Sequence, residues 1–182
     1  MERAIEATTT VRAAYARARE VLVDDPGSVL SETCSAEDRR SRRFLTQLAI
    51  NIGGGASVHQ EVEIHLGEPS AEEGFTMPVS WRATGHEALS PTFEGALTAS
   101  ADRSGTLLSL AGAYRIPLGA VGRLGDKVAG RKLTRASLAA LLEGVARRLD
   151  GEVDRRIGSA PAHPAPYPIE VTESVGSENY MG

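Results

Sequence analysis

The sequence holds a single cysteine, Cys34, a single tryptophan and two lysines, Lys127 and Lys132, and aromatic residues make up only 4% of it. A lone thiol excludes an internal disulfide and any multi-thiolate metal site. The acidic neighbours Glu32, Glu37 and Asp38 disfavour a thiolate, so Cys34 is read as an unreactive structural residue. No apolar run approaches the roughly 20 residues that a bilayer crossing needs. The opening MERAIEATTT places Glu2, Arg3 and three threonines where a secretory leader carries its apolar core. A cytoplasmic protein without a membrane span is expected. A surplus of positive charge is missing as well: 20 basic side chains face 24 acidic ones, a formal net charge of −4. Nucleic-acid affinity is dominated by phosphate neutralisation, so the local cluster Arg39, Arg40, Arg42 and Arg43 does not make a nucleic-acid binder of the chain. The excess of arginine over lysine fits a GC-rich genome.

What is present is ordinary for one soluble domain: 182 residues, 41% hydrophobic and 24% charged. Residues 4–11 alternate with near period two and are rich in threonine, which reads as a first strand. From Arg12 the period becomes helical, with Ala14, Tyr15, Ala18, Val21 and Leu22 on one face. Asp24 to Gly27 end that helix, and Pro26 and Gly27 open a second short one through Leu30. Residues 31–43 read as loop or a poorly anchored helix. Strands are expected over 44–52, 58–66, 75–83, 92–101 and 106–116, each with one apolar and one wetter face, the pattern of an antiparallel sheet covered on one side. From Val121 to Arg156 the 3.6 period returns, with Leu138, Leu141, Leu142, Val145, Leu149 and Val153 in one stripe and Gly130 as a point of bending or interruption. Beyond residue 156, Pro161, Pro164, Pro166 and Pro168 forbid helix and break ladders, so 157–182 is expected to be an extended or disordered tail.

A strand, two short helices, a run of antiparallel strands and a long closing helix form the order of the helix-grip fold. Within it Pro91, Phe93, Gly95 and Leu97 precede Leu110, Gly112, Tyr114, Pro117, Leu118, Gly119, Val121, Gly122 and Asp126. On that order and those residues the chain resembles the START-like superfamily, also called the polyketide cyclase/dehydrase and lipid-transport (SRPBCC) superfamily, and in particular an actinobacterial branch of it. The resemblance covers about residues 1–156. It implies an α+β fold in which a curved antiparallel sheet of six or seven strands grips the C-terminal helix. It also implies a hydrophobic small molecule as the partner, since members of the superfamily include carriers, cyclases and regulators, and a gating role for the segment around Gly119, Gly122 and Gly125.

The inward parities carry small residues, Ala83, Gly95, Ala99 and Gly112, and a concave wall with small side chains is expected to leave an apolar cavity. Its candidate lining is Gln60, Val62, Ile64, Met77, Val79, Trp81, Phe93, Leu97, Leu110, Tyr114, Leu138, Leu142 and Val145, with Gln60 and Tyr114 as the polar groups that orient a ligand. The opposing reading is a solid interior in which those two bond to each other, to backbone or to a trapped water.

Other constellations are weaker. His59, Glu61, Glu63 and His65 share a strand face, but four same-face residues span about 20 Å, so a solvated outer face is the better reading than a metal site. Arg82 and His86 have no nucleophile beside them, and Ser80 and Ser90 carry no nucleophile elbow. Lys127 follows Asp126 without the phosphate-loop spacing. No catalytic residue, metal site or cofactor is therefore assigned. The leading expectation is non-catalytic binding or transport of a hydrophobic or amphipathic small molecule, lipid or polyketide-like. The alternatives are a cyclase- or dehydratase-like enzyme with Tyr114 as its proton donor, and a protein-interaction module that uses the proline-rich tail and holds no ligand.

Overall fold

The computed structural model describes residues 2–30, 40–53, 56–70, 74–84, 92–115, 127–158 and 167–174. In chain order the elements are β1 (Glu2–Val11), α1 (Tyr15–Asp24), α2 (Pro26–Leu30), β2 (Arg43–Gly53), β3 (Ala56–Leu66), β4 (Phe75–Ala83), β5 (Thr92–Asp102), β6 (Gly105–Arg115), α3 (Lys127–Arg156) and β7 (Glu170–Ser174). The strands form one antiparallel sheet in the order β2-β3-β4-β5-β6-β1-β7. The fold is the expected helix grip, and among the described residues its sheet has seven strands.

Alternation decides which face is buried. Phe75, Met77, Val79 and Trp81 of β4 are buried while Thr76, Pro78 and Arg82 are exposed. The same rule puts Ile5, Ala7, Thr9 and Val11 of β1 inward. The β5–β6 hairpin turns at Asp102, which accepts hydrogen bonds from the Ser104 amide at 3.0 Å and the Ser104 hydroxyl at 2.5 Å. Gly105 follows with φ 147°, where a Cβ would overlap the Val11 carbonyl oxygen. Only glycine fits that turn.

Helix α3 runs through Gly130 without interruption. Its buried stripe is Leu138, Leu141, Leu142, Val145, Ala146, Leu149 and Val153, and it lies on the concave sheet face and on α1 and α2. Among the strands, the backbone of α3 comes closest to β1 and β2, far apart in the sheet order, and its buried stripe belongs to one hydrophobic cluster with the inward residues of β4 and β5. Arg156 at its end reaches Asp24 of α1 at 3.5 Å.

One expectation needs correction. The stretch after residue 156 is not a tail throughout: Glu170–Ser174 pair with Thr8–Ala4 of β1 as the seventh strand. The four prolines all precede this stretch, and Ile169, Val171 and Glu173 alternate with exposed residues, so its ladder is unbroken. Thr9 donates its hydroxyl to the Pro168 carbonyl at 3.0 Å, and Arg135 of α3 donates to the Val171 carbonyl at 2.8 Å.

Candidate functional site

The strand registers place Arg3, Tyr114, Phe93, Trp81, Ile64 and Phe44 opposite one another in turn, one row across the concave face. In a chain with three phenylalanines, one tryptophan and four tyrosines, half of the aromatic side chains stand in this row. Trp81 and Phe93 are stacked, with ring centroids 4.0 Å apart and planes 14° from parallel. An aromatic pair of this kind adds about 0.5–1.5 kcal/mol to the burial of the two rings.

Gly95 and Gly112 face each other in the neighbouring row. A Cβ on Gly95 would stand 2.7 Å from the outer ring carbon of Phe93, and one on Gly112 would stand 2.8 Å from it. The Phe93 ring therefore lies over the glycine pair. This corrects the expectation that these small residues leave open space: the missing side chains make room for a ring that occupies it.

Apart from Gln60, the candidate lining side chains are 5% exposed or less. Val62, Ile64, Met77, Val79, Trp81, Phe93, Leu97, Leu110 and Tyr114 come from the sheet, and Leu138, Leu142 and Val145 from α3. A water-sized sphere scarcely touches them, so the apolar interior is closed at these positions. The side chain of Gln60 lies outside the described residues. Its backbone, on β3, is three strands from Tyr114 and two same-face positions beyond the aromatic row, so the two do not meet as one polar point on the sheet.

Two polar groups on this side of the fold escaped the sequence reading. Asp150, 4% exposed, accepts from the Ala13 amide at 2.9 Å, the Arg12 amide at 3.2 Å, Arg12 Nε at 3.4 Å and the Tyr167 hydroxyl at 2.6 Å. It ties the β1–α1 turn, α3 and the segment before β7 together. Burial, and then the hydrogen bond to the Asp150 carboxylate, push the Tyr167 phenol above its usual range. The second is Glu173 of β7, which has the same parity as Ile169 and Val171 and pairs with buried Ile5; its Oε1 is buried without a hydrogen-bond partner.

The other singled-out residues lie elsewhere. His59, Glu61 and His65 are exposed on the outer sheet face, where Glu61 accepts from the Thr84 hydroxyl at 2.6 Å. Glu63, half-buried on the same face, pairs with Arg82 at 3.2 Å. A groove of about 340 Å³ opens there among Arg43, Glu63, His65, Arg82 and Glu94, and Trp81 and Phe93 of the aromatic row also border it. His86, Ser90, Cys34 and the Gly119–Asp126 segment lie outside the described residues.

No protein-family model matches the chain, and no curated protein matches it by sequence. Solved structures do match by shape. The di-domain ARO/CYC StfQ from the steffimycin biosynthetic pathway is similar over 87% of this chain and 53% of its own, about half of that two-domain protein, at 16% identity and TM-score 0.51. A conserved protein from Geobacillus kaustophilus (12% identity, 84% of this chain, 95% of that one, TM-score 0.49) and the protein TTHA0849 from Thermus thermophilus (19%, 84%, 99%, 0.46) are similar as well. At such identities the likeness is one of fold. The chain has the helix-grip, START-like fold. Among the described residues no helix is long and apolar enough to cross a membrane.

Proposed function

We propose that the protein binds a hydrophobic or amphipathic small molecule, lipid or polyketide-like, between the concave sheet face and α3, without transforming it. One observation carries the reading: the Phe93 ring lies over Gly95 and Gly112 and stacks on Trp81. Rotation of that single side chain uncovers an apolar trough whose floor is bare backbone, with Trp81 and Tyr114 beside it. Apolar sites with few polar groups suit ligands of this class. The energetic balance sets the ligand size. Re-exposing a phenylalanine side chain costs roughly 2–3 kcal/mol, and a ligand burying about 400 Å² of apolar surface gains roughly 10 kcal/mol. Association itself costs at least about 4 kcal/mol. A ligand of lipid or polycycle size therefore binds, and one of benzene size barely does.

The enzyme alternative uses the same interior. The steffimycin-pathway neighbour is an ARO/CYC by its description, and folding a polyketide chain for cyclisation needs an acid or base on that face. Tyr114 and Glu173 are the described residues that offer one. A ligand-free docking module would instead keep Phe93 fixed.

Trp81, the single tryptophan, makes the test direct. Native mass spectrometry of protein purified from its host is expected to show a retained lipid-like mass. Titration with 1-anilinonaphthalene-8-sulfonate is expected to quench Trp81 emission, and Phe93→Ala to tighten that probe's binding by opening the trough. No retained mass, together with unmoved Trp81 emission in both proteins, would sink the proposal. Turnover of a polyketide mimic that is lost in Tyr114→Phe would establish the enzyme instead.

A further inference from the structure

We propose that Glu173 is the polar end of this interior and accepts a hydrogen bond from a hydroxyl or ammonium group on the ligand, an assignment that rests on the binding function proposed above. The carboxylate belongs to β7, the strand that closes the β1 side of the grip. In register it opposes Ile5, which opposes Gly112, which opposes Gly95. Glu173 therefore stands at one end of the row that holds the bare glycine trough, one row from Tyr114, Phe93 and Trp81.

Its Oε1 is buried and accepts no hydrogen bond. Burying an acceptor without a donor is costly, and more so for a charged one. The polar neighbours do not relieve it. Arg135 reaches β7 from α3 but donates to the Val171 carbonyl. Arg3, the next inward-parity residue along β1, is engaged in an interaction of its own. By contrast Asp150, a fully buried carboxylate at this side of the fold, is saturated with four donors. A structural carboxylate here looks like Asp150. Glu173 is an acceptor held ready.

The ligand chemistry follows. A hydroxyl or ammonium head supplies the absent donor, and hydrogen bonds to charged acceptors are about twice as strong as neutral ones. A carboxylate or phosphate head meets a like charge and is disfavoured. The ligand class is thus a long-chain or polycyclic alcohol or amine, with its apolar body along the trough and its donor at β7.

The test uses three probes with one chain length, dodecylamine, dodecan-1-ol and dodecanoate, each below its aggregation limit, against the full-length protein, with Trp81 emission as the readout. The amine is expected to bind about tenfold more tightly than the carboxylate, with the alcohol between them. Glu173→Gln is expected to bring that ratio to about one while leaving the melting temperature unchanged or raised, since no native bond is lost. Glu173→Ala, which removes the acceptor altogether, is expected to abolish the preference for alcohol as well. Binding of all three with equal affinity, or an undiminished amine preference in both variants, overturns the role of Glu173 and leaves interior binding standing. A melting temperature lowered markedly in both variants makes Glu173 structural and overturns it too. If none of the probes moves Trp81 emission, the binding proposal itself falls, and this assignment with it.

Discussion

A buried carboxylate that receives four donors leaves those donors stranded when it is removed. In Asp150→Ala the amides of Arg12 and Ala13 lose their acceptor inside the fold. At roughly 1–3 kcal/mol per orphaned donor, the expected destabilisation is about 3 kcal/mol, read as a lower urea midpoint at unchanged slope. Tyr167→Phe removes one bond and leaves Asp150 the others, so about 1 kcal/mol is expected. The Tyr167 phenol also gives that bond a pH dependence. Its folded-state pKa is raised above the ordinary 10.0, so the unfolded chain ionises first. The contribution is therefore whole below about pH 10 and is lost as pH climbs further. Urea midpoints of the wild type and Tyr167→Phe should differ at pH 8 and converge above about pH 10; a gap that widens there would contradict the assignment. The burial of Asp150 was signalled by its spacing, four residues after Ala146 and three before Val153, although the sequence alone assigned it no role. Tyr167 was not, because its partner is local only in the fold.

The pair of strands β5 and β6 has a tolerance set by backbone contact. A Cβ on Gly95 would overlap the Ala111 carbonyl oxygen, and one on Gly112 the Glu94 carbonyl oxygen. Gly95→Ala is expected to cost at least the roughly 1–3 kcal/mol of overpacking, with a fall in melting temperature; an unchanged one would show that the strands separate freely there. At β7 the bonds are few, and the edge they cover is long. Deleting residues 159–182 uncovers β1 from Ala4 to Thr8, an unpaired edge that pairs readily with another chain. Concentration-dependent self-association by light scattering is expected, and a strictly monomeric truncated protein would argue that β1 is protected in another way. The six longer strands and α3 were legible because their alternation and stripe are set by one core. β7 was hidden behind four prolines that precede it. The Phe93–Gly95–Gly112 packing was hidden for another reason: Phe93 and Gly95 share β5 while Gly112 lies on β6, and the three meet only once register is fixed.

At the scale of the whole molecule, the sheet is assembled almost entirely from hairpins, β2 with β3, β3 with β4, β4 with β5 and β5 with β6. The exception is β1, whose two neighbours are residues 106–115 and 170–174. Closing loops of that length precedes any reward from the contacts they enable. Refolding followed by Trp81 emission is therefore expected on a millisecond-to-second scale, and a microsecond phase with full amplitude would contradict it. During synthesis β1 precedes all its partners, and Ile5, Ala7 and Val11 emerge with no strand to lie against. The strand made first is the last to be enclosed, and until β6 and then β7 arrive its apolar residues are what a chaperone, or a second nascent chain, would meet.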